Sequence, residues 1–171
     1  MEYKLRPFRE KDAEILSRFA NNERIARFMT DKFPHPYSAD HARSFIEFAN
    51  SHDPQRIFAI EVEGQAAGGI GIHPQEDIHR KNAELGYWLA EEYWNRGIVS
   101  RAVKEMVEYG FRTFDISRIF ARPFGNNIAS QRVLLHAGFV LETVLEKTLY
   151  KNGEYLDEMI FSVRLNDLET E

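Results

Sequence analysis

The 171-residue chain contains no cysteine. Disulfides, thiolate metal sites and cysteine nucleophiles are therefore excluded. It also lacks a long apolar run. The uncharged stretch between Glu63 and Glu76 is short and Gly-rich, well below the ~20 apolar residues of a membrane span. Met1-Glu2-Tyr3-Lys4-Leu5-Arg6 has no apolar segment of the kind a secretory leader needs. The six prolines are scattered and no tract is of low complexity, so nothing reads as a linker. There is no basic excess: 22 Lys plus Arg stand against 27 Asp plus Glu, a net charge of −5, which argues against a nucleic-acid partner. HExxH, GxSxG and GxGxxG are all missing, and no two of the six histidines stand four apart. A metal site, a nucleophile elbow and a nicotinamide enzyme are set aside on that ground. The remaining composition, 43% hydrophobic and 29% charged, suffices for a globular core. The expectation is one cytoplasmic domain over residues 1–171, with no membrane partner.

Periodicity gives a mixed order of elements. Tyr3 to Phe8 alternates as a short strand. Asp12 is placed to cap a helix through Asn21, and a second helical stretch runs from Glu23 to Met29. Phe33-Pro34-His35-Pro36 is a loop, and Ser38 caps a helix with Ala42, Phe45, Ile46 and Ala49 on one face. Ile57–Val62 and Ala66–His73 read as strands about a turn at Glu63-Gly64-Gln65, with Gly68, Gly69 and Gly71 marking a bulge or a close approach. Ala83–Leu89 is a further strand, Ser100–Phe114 a helix, Ile119–Arg122 a strand and Ile128–His136 a helix stopped by Gly138. Phe139–Tyr150 and Tyr155–Leu165 are long strands joined at Asn152-Gly153. Strands interleaved with helices in this way give an α/β class, a mixed α+β sheet domain.

Three places carry chemistry. Between the strand ending near Ala90 and the helix near Ser100 lies Tyr93-Trp94-Asn95-Arg96-Gly97-Ile98-Val99-Ser100. A helix start offers unbonded N–H groups and a partial positive charge, which suits phosphate. Gly97 lets backbone approach an anion, and Ser100 can cap the helix or donate to phosphate. Any strand-to-helix loop favours the same residues. In Asn126–Phe139, Asn127 is a helix N-cap and Ser130 sits one turn on, on the same face; a plain capped helix accounts for them equally. Glu84 alternates with Gly86 and Trp88 in an aromatic strand. It is either solvated or held in a cleft, where desolvation would suit it to general-base work.

The ordered set resembles the GCN5-related N-acetyltransferase (GNAT) superfamily, and within it the bacterial ribosomal-protein alanine acetyltransferases of RimJ/RimL type. The resemblance rests on Leu5-Arg6-Pro7-Phe8, Glu84–Leu89, Tyr93–Ile98, Asn127–Leu134, Ala137-Gly138-Phe139 and Tyr155–Ser162, and so covers nearly the whole chain. It implies a mostly antiparallel sheet whose central strands splay to hold acetyl-CoA. It also implies direct attack of a neutral primary amine on the thioester in a ternary complex, with no metal. The superfamily's Q/R-x-x-G-x-G/A loop falls on Trp94, Gly97 and Val99, so two marked positions depart from the pattern. The coenzyme would lie against Trp88, Leu89, Arg96, Gly97, Ile98, Val99, Ser100, Arg101, Asn127 and Ser130, with a backbone N–H near Leu89 for the oxyanion. Glu84 matches the general base. Leu134 stands where many members carry a tyrosine acid, leaving Ser130 or water to protonate the thiolate. Phe28, Met29, Phe33 and Tyr150 fall in the segments that would line the acceptor site. The acceptor stays open between a protein N-terminus and a small amine, the assembly between monomer and homodimer. A non-catalytic acyl-CoA sensor is the alternative.

Overall fold

The computed structural model describes residues 1–168, so the last three positions of the expected 1–171 span lie outside the described residues. The chain divides into two compact units: Met1–Gly71 with Tyr87–Ala102, and Ile72–Gly86 with the residues from Val103 onward.

In the first unit, β1 (Lys4–Arg6) pairs antiparallel with β2 (Ile57–Val62), and β2 with β3 (Gln65–Pro74). The β2–β3 turn places Glu63 and Gly64 at φ 51° and 78°, the left-handed pair a tight hairpin requires. β1 stops at Arg6, short of the expected Phe8, because Pro7 has no N–H to continue the ladder and Phe8 turns into the core against Phe45. The helices are α1 (Ala13–Ala20), α2 (Glu23–Ala26) and α3 (Ala39–Ala49). Leu16, Ala20, Ala42, Ile46 and Ala49 are buried on α1 and α3, which follow the apolar spacing of the sequence. Ser38 caps α3 as expected, accepting from the His41 N–H. Asp12 does not cap α1. Its carboxylate accepts from the Arg9 N–H and from both terminal nitrogens of Arg6, whose Nε donates to Glu61. This buried cluster ties β1 to β2 and to the turn before α1. α2 ends at Ala26 instead of Met29, since Phe28 and Met29 bond back only three residues, to Ile25 and Ala26.

The second unit takes the start of β4 (Asn82–Leu89), β5 (Arg118–Ala121), β6 (Val140–Lys151) and β7 (Glu154–Arg164). β5 and β6 each lie antiparallel to β7, and β6 turns into β7 at Asn152-Gly153, both at positive φ. Most of α4 (Ile98–Thr113) and all of α5 (Ile128–His136) belong here. A Cβ on Gly110 of α4 would stand 2.3 Å from Ile72 Cδ1 and 3.1 Å from Ile119 Cδ1, so the glycine lets the helix lie close on β3 and β5. Gly138 ends α5 at φ 89°, with Phe139 N–H bonded to Leu134 O and Gly138 N–H to Leu135 O. A final helix, α6 (Leu165–Leu168), lies beyond the expected elements.

In hydrogen-bonded order the strands are β1-β2-β3-β4-β5-β7-β6. The sheet is mixed and open, in agreement with the α/β reading. Its parallel ladder joins Asn82, Ala83 and Glu84 of β4 to Arg118, Ile119 and Phe120 of β5, while β4 runs on to Leu89. No helix of the described residues is long and apolar enough to cross a membrane.

Candidate active site

After β4 the chain makes a single tight turn at Glu91–Tyr93 and enters α4. The Trp94 indole N–H donates to Leu89 O at 2.8 Å, the Arg24 guanidinium lies 5.5 Å over the Trp94 ring, and Arg24 pairs with Glu91. These contacts fix the loop that carries Gly97. Gly97 has φ 69°, and a Cβ built on it would meet nothing within 4 Å. The first backbone bond of α4 runs from Arg101 N–H to Gly97 O at 3.4 Å. The N–H groups of Ile98, Val99 and Ser100 precede it and donate to no described group. α4 thus begins two residues earlier than expected, which makes Ser100 a first-turn residue instead of the cap. Ile98 is the residue that packs inward, at 1% exposure, while Val99 and Ser100 are half-buried. Arg96 and Arg101 flank this start but are turned to the N-terminal segment. Arg101 donates to the carbonyls of Met1 and Gly97 and lies over the Tyr3 ring; Arg96 lies over Tyr93, with Nη1 3.6 Å from Met1 Sδ.

Glu84 sits in the second unit, opposite Phe120 at the last pair of the parallel ladder. It is half-buried, and desolvation raises its pKa; the nearby Glu158 adds to the rise and the Arg122 cation opposes it. Glu158 is buried at 4% and accepts from Arg122 Nε at 2.5 Å. It is held on β7 beside the segment after β5, where Gly125 N–H bonds Asp157 O and Met159 N–H bonds Pro123 O. A Cβ on Gly125 would lie 2.8 Å from Asp157 Cβ, so that approach needs glycine. A cleft of about 270 Å³ opens on the same face of the sheet, lined among others by His79, Asn82, Arg118, Phe120, Arg122 and Ile160.

Asn127 caps α5 as expected, accepting from the Ser130 N–H at 3.2 Å. Ser130 is half-buried one turn along, and Leu134 is fully buried. Trp88 is buried at 8%, with Phe33 at 5.7 Å in an edge-to-face pair. Its carbonyl would stand 2.2 Å from a Cβ on Gly68, the close approach behind the glycine-rich β3. Leu89 is also buried, and the next N–H, that of Ala90, is bonded to Ala67 O at 2.7 Å. Phe28 and Met29 lie half-buried in the first unit with Phe33, whereas Tyr150 is an exposed residue of the second unit, 5.0 Å from Tyr155 across the hairpin. Among the described residues no group of three His, Asp or Glu is close enough to hold a metal.

A family model, the acetyltransferase (GNAT) domain, matches residues 3–140. The chain belongs to the GNAT acetyltransferase family. It is 33% identical to the uncharacterized N-acetyltransferase YoaA of Bacillus subtilis, covering 93% of this chain and 91% of that protein. It is 28% identical to the Escherichia coli spermidine N(1)-acetyltransferase over 89% of this chain and 80% of that protein. Among solved structures, RimJ of Mycobacterium smegmatis in complex with CoA-disulfide superposes at a TM-score of 0.82 and 25% identity, covering 99% of this chain and 85% of that one.

Two residues of this GNAT chain's polar face, Arg122 and Glu158, do not stand out in the sequence. Alternation along β7 puts Leu156, Glu158, Ile160 and Ser162 on one face, and a carboxylate in that row, near the middle of a long strand, was the available signal. The charge beside Glu158 comes from Arg122, at a separation of 36 residues, which local pattern does not reveal. Leu134, fully buried, belongs to the core.

Proposed function

We propose that this GNAT enzyme transfers the acetyl group of acetyl-CoA to a primary amine, with Glu84 removing the amine's proton. The observation that carries the proposal is Glu84 itself: a half-buried carboxylate whose pKa is raised by desolvation, standing where the parallel ladder of β4 ends. A base tuned upward is better matched to an ammonium proton near neutral pH than an ordinary carboxylate is. Acetyl-CoA supplies the thioester, whose C–S bond is exchanged for the C–N bond of an amide, with CoA leaving as the thiol.

The start of α4 fits the coenzyme's pyrophosphate. Gly97 leaves open space, and the N–H groups of Ile98, Val99 and Ser100 supply donors that need no particular side chain. Ile98 contributes through backbone alone, because its side chain is in the core. Arg96 and Arg101 stand beside this cradle and add positive charge. Asn127 and Ser130 are assigned to the coenzyme side of α5, with the Ser130 hydroxyl as the proton source for the thiolate. Trp88 and Leu89 offer backbone groups along the pantetheine arm, and Phe28, Met29, Phe33 and Tyr150 the apolar surface for the acceptor. That acceptor is a protein N-terminal amine or a small-molecule amine; relatives named for spermidine and for ribosomal proteins support both classes. Glu84→Gln is expected to lower the rate of CoA thiol release with amine by roughly 10²-fold and to leave the dissociation constant of acetyl-CoA unchanged. An unaltered rate across neutral pH would remove Glu84 from the mechanism.

A further inference from the structure

The cleft lined by Phe120, the residue opposite Glu84 in the parallel ladder, carries an arginine whose hydrogen bonding is only partly used. Arg122 lines it, and its Nε donates to the buried Glu158. Its two terminal nitrogens donate to no group among the described residues, and its side chain is 47% exposed. Arg118 lines the same cleft, but its nitrogens are taken up by both oxygens of Glu142, at 3.0 and 2.8 Å, and by Asn82 at 2.9 Å. No carboxylate lines the cleft. Glu158 therefore acts as a positioning residue: it holds one edge of the guanidinium from beneath and leaves the terminal fork facing outward. A planar fork of this kind matches a carboxylate or a phosphate, and it repels a second ammonium.

Position gives the fork a role. Glu84 is opposite Phe120, and Arg122 follows two residues on, ~7 Å further at ordinary strand rise. The two groups are close enough for the charge of one to act on the other. An amine at Glu84 and an anion at Arg122 thus belong to one small molecule, a few bonds apart.

We infer that the acceptor of this enzyme is an amine bearing an anionic group a few bonds from the nitrogen, a small amino acid or an aminoalkyl phosphate, with Arg122 binding the anion. The inference rests on the proposed acetyl transfer with Glu84 as base and names its substrate class. Beyond Glu84, a polyamine finds no second acidic partner in the cleft lining.

The test compares matched acceptors by CoA thiol release, each rate expressed per unprotonated amine: alanine against alaninamide, aminoethyl phosphate against ethanolamine, and spermidine alone. The anionic member of at least one pair is expected to have a kcat/KM about tenfold or more above its neutral partner, the size of one charge-assisted hydrogen-bonded contact. The responding pair tells carboxylate from phosphate. Arg122→Gln is expected to abolish that preference through the acceptor KM, with the acetyl-CoA KM unchanged. Arg122→Lys, which keeps the charge without the fork, should restore part of it, and Glu158→Gln should weaken it. Melting curves identify any variant that fails to fold, and the wild-type comparison stands without the variants. Equal or better use of alaninamide, ethanolamine or spermidine would overturn the inference and leave acetyl transfer intact. Acetylation of none of the five would overturn the inference; CoA thiol release with a peptide bearing a free N-terminus would then leave acetyl transfer standing, and its absence there as well would overturn both.

Discussion

Single residues hold the clearest chemistry, and Glu84 has two linked consequences. Its raised pKa means that the folded state disfavours the ionised form. The deficit is absent below the ordinary carboxylate pKa and complete once pH has risen through the folded value. Glu84→Gln is therefore expected to melt at a higher temperature than wild type at pH 7 to 8, with the difference vanishing near pH 4, while turnover falls. Parallel melting curves at the two pH values check this, and a lower Tm at pH 7 would contradict it. Glu84 was legible in the sequence because a carboxylate interrupts an aromatic strand. Arg122 and Glu158 were not: one lies just past the end of a short strand, the other in a long one, and only tertiary pairing gives either a meaning. Asn127 was legible as a cap because capping is local. Asp12 was misread for the converse reason, since its partner Arg6 is pinned by Glu61, a residue far along the chain.

At the level of elements, α4 and the β5–β7–β6 strands each carry a prediction. Gly97 adopts φ 69°, where any side chain is strained whatever space surrounds it. Gly97→Ala is expected to cost about 1 kcal/mol of stability and to weaken acetyl-CoA binding. Ile98→Ala, which removes a fully buried side chain, should cost about 2–4 kcal/mol with a smaller effect on affinity. Melting curves and acetyl-CoA titrations on the two variants separate cradle from core. Between the strands, hydrogen bonds from Arg118, helped by Ser162 and by the charge of Arg164, hold the Glu142 carboxylate at a pKa of about 2 against partial desolvation. That stabilisation is complete above the ordinary value of 4.5 and is lost as pH falls through about 2. Allowing for the carboxylate's contact with water, Glu142→Gln should cost about 1 kcal/mol at pH 7, and the difference should close in acid unfolding curves below pH 3. Element order was readable from β1 to β7, from period, glycine turns and caps, with α6 alone among the α-helices and strands unforeseen. Boundaries moved where the cause was tertiary. The helix expected from Ser100 begins at Ile98 because Ile98 packs into the core, and β6 is irregular between Leu145 and Leu149 around Lys147 at φ 51°, which no alternation signals.

For the molecule as a whole, a ligand that binds only the folded form must stabilise it, by about 2.7 kcal/mol at a hundredfold excess over its dissociation constant. Acetyl-CoA is expected to raise the Tm accordingly and free adenosine much less, because the proposed cradle serves phosphate; a differential scanning titration reads both. The strand order was not legible in the sequence, since β7 enters between β5 and β6 and nothing in the spacing says so. β6 closes one side of the sheet with an outer edge that no further strand of the described residues covers, and its Val140, Leu141, Val144 and Leu145 are all exposed. Such an edge would ordinarily template the addition of foreign strands. Here the ladder is interrupted twice, between Leu141 and Thr143 and again between Leu145 and Leu149, and at the second break stands the charged, left-handed Lys147. Straightening β6 by deleting the irregularity at Lys147 is therefore expected to make the protein more prone to aggregate, which light scattering on the variant and the wild type at equal concentration checks.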